Sequence, residues 1–297
     1  SAPEFDSLST GSERVLSPMS DLPGGTTFGS LVHAVLEHAD ASLAEGDPAW
    51  RAQLRAHIGE QRVWWPVDLD SEVLASALAL VTDTPLGPLV GNIPLRHIGG
   101  RDRLTELNFE LPLGGGDRRS SQVTAAELRD VAALWRHHVP ADDPLAAYAD
   151  TLDHPAYAQS LNGYLSGSLD LVFGVGEPTA RRYFVADYKT TWVGERDQPN
   201  YADAYAPDRL GEAMARSSYP LQALLYSVAL HRFLRWRQPG YRFADHFGGV
   251  LYLYVRGMIG PETPVVDRQP CGVFAWRPSE GLVEAVSSLF GGRVPAA

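Results

Sequence analysis

Between Leu165 and Trp192 the chain reads LSGSLDLVF, breaks at Gly174–Pro178, and resumes as RRYFVADYKTTW. Two β-rich runs separated by Gly and Pro specify a pair of strands joined by a turn. This stretch also holds the single lysine of the sequence, Lys189, the other 24 of the 25 basic Lys and Arg residues being arginine. A chain that uses arginine everywhere else and keeps one lysine after Asp-Tyr points to a position that needs a compact ammonium rather than a forked guanidinium.

Alternate residues of a strand share a face, so Asp187 and Lys189 project together, Tyr188 projects the other way, and Asp170 shares a face with Ser168 and Val172. Pairing that sets Asp170 opposite Asp187 brings their Cβ atoms within about 5 Å. Adjacent carboxylates repel unless a proton or cation lies between them, and oxygen ligands of this kind suit Mg²⁺ or Mn²⁺. With an ammonium at hand to orient water or neutralise a phosphate, the set suits metal-assisted phosphodiester hydrolysis. Two solvated acids and a lysine at a strand end carry the same letters.

Several motifs occur in a familiar order. They are His33, the run Gly163-Tyr-Leu-Ser-Gly-Ser-Leu-Asp170-Leu-Val-Phe, and the run Tyr183-Phe-Val-Ala-Asp187-Tyr188-Lys189-Thr190. Tyr219-x-x-Gln222-x-x-x-Tyr226 and Phe247-Gly-Gly-Val-Leu-Tyr-Leu-Tyr-Val-Arg-Gly follow. From about Gly24 to about Leu289 the chain resembles the RecB-type nuclease domain of the PD-(D/E)XK superfamily. The resemblance implies an α/β fold with a restriction-endonuclease-like core, a central mixed β-sheet flanked by helices, and a helical N-terminal region. It implies a Mg²⁺-dependent DNA nuclease, with Mn²⁺ as a substitute, acting on DNA ends and unwound single strands in a RecBCD-type recombination and repair machine. His33, Asp170, Asp187 and the Tyr188 carbonyl are then the metal ligands, with catalytic roles for Asp170, Asp187, Lys189, Gln222 and Tyr226. Gly29-Ser30-Leu-Val-His33 resembles the family's Gly-Thr-x-x-His with serine for threonine, and His38 is the fallback ligand. Glu106 matches best the acid that the family carries on an early strand. RecC- and RecD-like subunits and a RecB-type helicase portion are the implied partners beside DNA. A catalytically silent nuclease-like scaffold is the alternative.

The net charge of −11 sits awkwardly with unaided DNA binding, which favours a basic surface. Delivery of the strand by motor subunits would relieve that. Arg232, Arg235, Arg237 and Arg242 form either a local basic patch or a solvated helix end. One cysteine, Cys271, excludes an internal disulfide and a cysteine-based zinc site. No apolar run is long enough to span a bilayer, no signal peptide is apparent, and the reading is cytoplasmic. The lone lysine lies outside any Gly-rich phosphate-binding loop, so no ATP site of that kind is expected.

Residues 1–21, rich in Ser, Pro and acids, read as a flexible tail or linker, and 22–297 as the nuclease domain with a mainly helical insertion over about 40–100. Thr26 or Thr27 is expected to cap a helix carrying Phe28, Leu31, Val32, Val35 and Leu36. Ser71–Val81 is a second helix, and Trp64-Trp65-Pro66 is expected to be buried packing rather than a base-stacking platform. Leu104–Leu113 alternates as a half-buried strand ended by Gly114–Asp117. Thr124-Ala-Ala-Glu127 reads as a capping box for a helix to about His138, and Asp143-Pro144 as the start of another. Gln198–Arg216 reads as a mobile surface loop. A helix from Pro220, strands at Val250–Val255 and Cys271–Trp276, and a helix from about Ser279 to Phe290 complete the pattern.

Overall fold

The computed structural model describes residues 14–39, 48–113, 126–155, 160–161, 163–178, 180–195 and 198–291. The hairpin is its centre. Strands β1 (Arg103–Leu113), β2 (Gly163–Val175), β3 (Arg182–Lys189), β4 (Phe247–Tyr254) and β5 (Val273–Trp276) form one five-stranded sheet in sequence order. β1–β2, β2–β3 and β4–β5 pair antiparallel and β3–β4 pair parallel, so the sheet is mixed. The parallel step needs a crossover, supplied by α6 (Pro207–Ala215), α7 (Tyr219–Arg237) and α8 (Phe243–His246). The other helices are α1 (Thr26–His38), α2 (Pro48–Gln61), α3 (Ser71–Asp83), α4 (Leu128–His138), α5 (Tyr148–Leu152) and α9 (Glu280–Phe290).

Each sheet face carries its own core. On one, Trp135, Leu210, Leu224 and Val283 from α4, α6, α7 and α9 cover Val172, Val185 and Val250. On the other, Leu31 and Val35 of α1, Leu54 of α2 and Leu78 of α3 cover Leu171, Phe184, Ala186 and Leu251. Both faces of β4 are therefore buried, which explains its unbroken apolar sequence. Gly248 is required there, because a Cβ would come within 2.4 Å of the Phe184 ring.

Several elements depart from expectation for local reasons. Gly25, with φ of 99°, precedes α1, and no side chain caps that helix, so neither Thr26 nor Thr27 does. Thr124 and Gly114–Asp117 lie outside the described residues. α4 starts at Leu128 instead, with Asp130 accepting the Glu127 N–H at 2.8 Å. Asp143 caps a turn by accepting the Leu145 N–H, and the helix waits until Tyr148. The stretch expected as a mobile loop is ordered by burial: Asn200 donates to the Tyr205 hydroxyl at 2.8 Å, and α6 seats Leu210 and Met214 in the core. Residues 14–21, grouped by composition with the tail, pack on the body: Ser17 and Met19 are buried, and Leu16 bridges to Tyr201. Trp64 and Trp65 are not buried, at 76% and 39% exposure. Among the described residues no helix is long and apolar enough to cross a membrane.

Candidate active site

The ladder between β2 and β3 runs from Val175↔Arg182 to Leu171↔Ala186 and stops. The strands part at Asp170. Its Oδ2 accepts the Tyr188 N–H at 3.0 Å, so a side chain takes the acceptor position that a paired strand would supply. The alternation of β2 breaks here too: Leu169 packs with Val172 on one face while Leu171 faces the other. Asp170 consequently does not simply share a face with Ser168 and Val172. On β1 the matching position is Glu106, between the pairs Thr105↔Leu171 and Leu107↔Leu169, and its φ of 51° is a left-handed conformation rare in non-glycine residues. Its carboxylate accepts the Ser168 hydroxyl at 3.1 Å.

Into this opening come groups from both helical layers. From α1, His33 places Nδ1 3.1 Å from Asp170 Oδ2, and its ring meets Tyr188 edge-on. Burial lowers the imidazole's proton affinity, but the hydrogen bond to Asp170 and the charges of Asp170 and Asp187 outweigh it, and the net direction is upward. His38 turns away, its Nδ1 bonded to the Ala34 carbonyl at 2.7 Å.

From the opposite layer, α7 supplies Gln222 and Tyr226 on one face, four residues apart. Gln222 Nε2 donates to the Tyr226 hydroxyl at 2.6 Å, and that hydroxyl donates to Asp187 Oδ1 at 3.2 Å. Behind them Tyr252 of β4 donates to Gln222 Oε1 at 2.9 Å. The donors run head to tail from Tyr252 to Asp187, fixing the carboxylate's orientation. Lys189 Nζ lies 2.5 Å from Asp187 Oδ2 and 4.2 Å from the centre of the Tyr219 ring, a cation–π contact that steadies the ammonium. Asp187 is 2% exposed. Burial pushes its carboxyl up to about 6 against the pull of Lys189, and Asp170 adds to the rise. Burial and the Asp187 charge likewise push the Tyr226 phenol upward, so it stays a donor.

Among the described residues no three His, Cys, Asp or Glu donors are already gathered about one point. Asp170 is engaged by His33 and the Tyr188 N–H, and Asp187 by Lys189 and Tyr226. The donor chemistry nevertheless fits a hard divalent cation: two acids and an imidazole meet where their charges already perturb one another. Asp187 Oδ2 is buried with the Lys189 ammonium as its partner, and a carboxylate oxygen paired with one cation keeps a second lone pair for another.

Tyr252 and Tyr219 were not singled out from the sequence for these roles. The alternation of Val250–Tyr254 did place Tyr252 and Tyr254 on one face, the face that meets α7. The arginine cluster lies elsewhere: Arg232 is bonded to Ser287 and Arg242 pairs with Asp245. Arg235 is some 20 Å along α7 from Gln222 at 1.5 Å per residue.

Comparison with known sequences bears on this arrangement directly. A profile of the PD-(D/E)XK nuclease superfamily matches residues 12–277. The chain belongs to that superfamily. The stretch Asp187-Tyr188-Lys189 has the spelling acid-x-Lys of that name. PD-(D/E)XK nucleases generally depend on a divalent metal, and the sheet seen here has their mixed α/β character. The chain is 51% identical over 282 residues to the RecBCD enzyme subunit RecB of Mycolicibacterium smegmatis, covering 95% of this chain and 25% of that protein. It is 50% identical over 278 residues to the subunit of that name from Mycobacterium tuberculosis, covering 92% and 24%. With the Escherichia coli subunit the identity is 30% over 270 residues, covering 91% and 19%. The chain thus spans about a quarter or less of the length of these relatives.

Proposed function

We propose that this PD-(D/E)XK domain is a Mg²⁺-dependent DNA nuclease working in a RecBCD-type recombination and repair enzyme. RecC- and RecD-like subunits and a RecB-type helicase portion would deliver DNA ends and unwound single strands to it. The observation that carries the reading is the parting of β2 and β3 at Asp170, which lets Asp170, Asp187, Lys189 and His33 meet. Asp170, Asp187, His33 and the Tyr188 carbonyl would hold the cation. A bound Mg²⁺ supplies Lewis acidity toward the phosphoryl oxygens and lowers the proton affinity of water.

The chain's own groups do the rest. Lys189 stands at the rim of the acid pair, where its ammonium orients the attacking water and offsets charge gathering on the phosphate. Gln222 and Tyr226 hold Asp187 by Oδ1 and leave Oδ2 to Lys189 and the cation, and Tyr252 holds Gln222. Burial at this end of the sheet strengthens each of these interactions relative to water.

Lys189→Ala and Asp187→Ala should keep the parent's circular dichroism spectrum and lose Mg²⁺-dependent cleavage of linear single-stranded DNA. Cleavage at the parent's rate by either variant would show the assignment to be wrong.

A further inference from the structure

The turn after α2 presents two indoles to solvent, which the burial habit of tryptophan would not predict. Trp64 is 76% exposed and Trp65 39%, and Val63 before them is 77% exposed. The turn is held firmly: the N–H groups of Trp64 and Trp65 both reach the Gln61 carbonyl, at 3.0 and 2.9 Å, and Pro66 follows. Arg62 ties it to Ser71 at 3.3 Å. Among the described residues neither ring stacks on another.

Trp65 is also one wall of a groove of about 560 Å³ whose other end is the candidate active site. Gln61, Glu37, His38, His33 and Glu106 line it with Trp65, and no residue lining it is a lysine or arginine. A strand lying there gains nothing from phosphate neutralisation, the usual source of nucleic-acid affinity. Glu37 and Glu106 repel phosphates instead, and Glu37 is itself pushed upward by burial and by Glu106. At its Trp65 end the groove offers an aromatic face, and stacking on such a face tolerates any base. Bases in a duplex are already stacked on their neighbours, so only an unpaired base can use it.

We propose that Trp65, flanked by Trp64, is a stacking platform that seats an unpaired base of single-stranded DNA beside the scissile phosphate, so that outside the metal site and Lys189 this chain holds its substrate by a ring rather than by cations. The proposal rests on the nuclease reading and adds its preference for single strands.

The test uses a dye-labelled oligothymidylate and the same sequence annealed to its complement, with binding followed by fluorescence anisotropy in an Asp187→Asn background that leaves the DNA uncut. Trp65→Ala should weaken single-strand binding about tenfold, in line with the loss of one base–aromatic stack. Trp65→Phe should recover most of it, Trp64→Ala should cost less, and duplex binding should stay within about twofold. The single-strand ratio between parent and Trp65→Ala should not change when salt is raised, because no phosphate contact is lost. The proposal is overturned if Trp65→Ala binds the single strand as the parent does, if duplex binding suffers equally, or if the defect fades with salt. A platform that serves a partner protein would give the first of these results. Trp64→Ala, at the more exposed position, repeats the measurement should Trp65→Ala fail to fold. Cleavage with Asp187 restored separates the two readings. A parent that cuts no DNA with Mg²⁺ sinks the nuclease assignment, whereas a parent that cuts while Trp65→Ala keeps its KM sinks only the platform.

Discussion

Consider Asp187→Asn with divalent cations chelated away. The carboxyl is 2% exposed, and its midpoint moves from the ordinary 3.8 to about 6, with the attraction of Lys189 already counted. Each pH unit of such displacement is about 1.4 kcal/mol, so holding Asp187 ionised at neutral pH costs the fold about 3 kcal/mol. Asparagine keeps the shape and has nothing to ionise. Because the folded midpoint lies above the unfolded one, the deficit is absent below about pH 4, where both states are protonated. It grows by about 1.4 kcal/mol per unit as pH rises to about 6 and is constant beyond. Urea melts of parent and variant at about pH 4 and about pH 7 should therefore coincide at the lower pH, with the variant about 3 kcal/mol more stable at the higher. A variant less stable at neutral pH, or a gap independent of pH, would refute the claim that the site stores strain in this carboxyl. The same variant should cut no DNA, trading function for stability.

Mn²⁺ affinity, measured by calorimetry, should weaken about a hundredfold per pH unit below about 6, since one proton competes for Asp187 and another for His33; flat affinity from pH 7 to pH 5 would exclude Asp187 as a ligand. Tyr226→Phe leaves the buried Asp187 Oδ1 without its donor and Gln222 without its acceptor, at about 1–3 kcal/mol, and should slow cleavage more than it raises KM. Arg256→Lys should lower stability by about 3 kcal/mol in urea melts. The guanidinium donates to the carbonyls of Met19, Leu22, Pro23 and Thr190, and an ammonium on a single stem cannot span them.

The hairpin with Asp187 and Lys189 was legible because its cues are local: strand alternation, one turn, and a lysine unique in the chain; the facing of Asp170 was not, because the alternation of β2 breaks there. Gln222 and Tyr226 were legible for the same reason, being one helical turn apart. What escaped reading depends on contacts between distant segments. The solvent exposure of Trp65 is a property of how the turn after α2 sits in the packed fold, and the order of 198–216 is set by Asn200 and Tyr205 meeting under Thr191 and Ser20. Glu106 matched the early-strand acid by position, but nothing in the strand pattern marks its left-handed backbone, which belongs with the gap at Asp170. Arg256 follows the expected strand Val250–Val255 and was assigned no role; three of its four acceptors are main-chain atoms more than two hundred residues earlier, which no side-chain pattern announces.

That last arrangement sets a rule for how this domain can be joined to a neighbour. Arg256, fully buried and flanked by the rings of Phe28 and Trp192, grips carbonyl oxygens alone, three of them on the approach to α1 and one, that of Thr190, just past β3. Every amino acid carries that oxygen, so the clasp places few demands on the identities of residues 19–23 and strict demands on their path. An incoming segment of diverging sequence can still be threaded under the same guanidinium and deliver His33 to the acids. One or two residues inserted between Met19 and Pro23 should unlatch it, even if every side chain at the metal site is left intact.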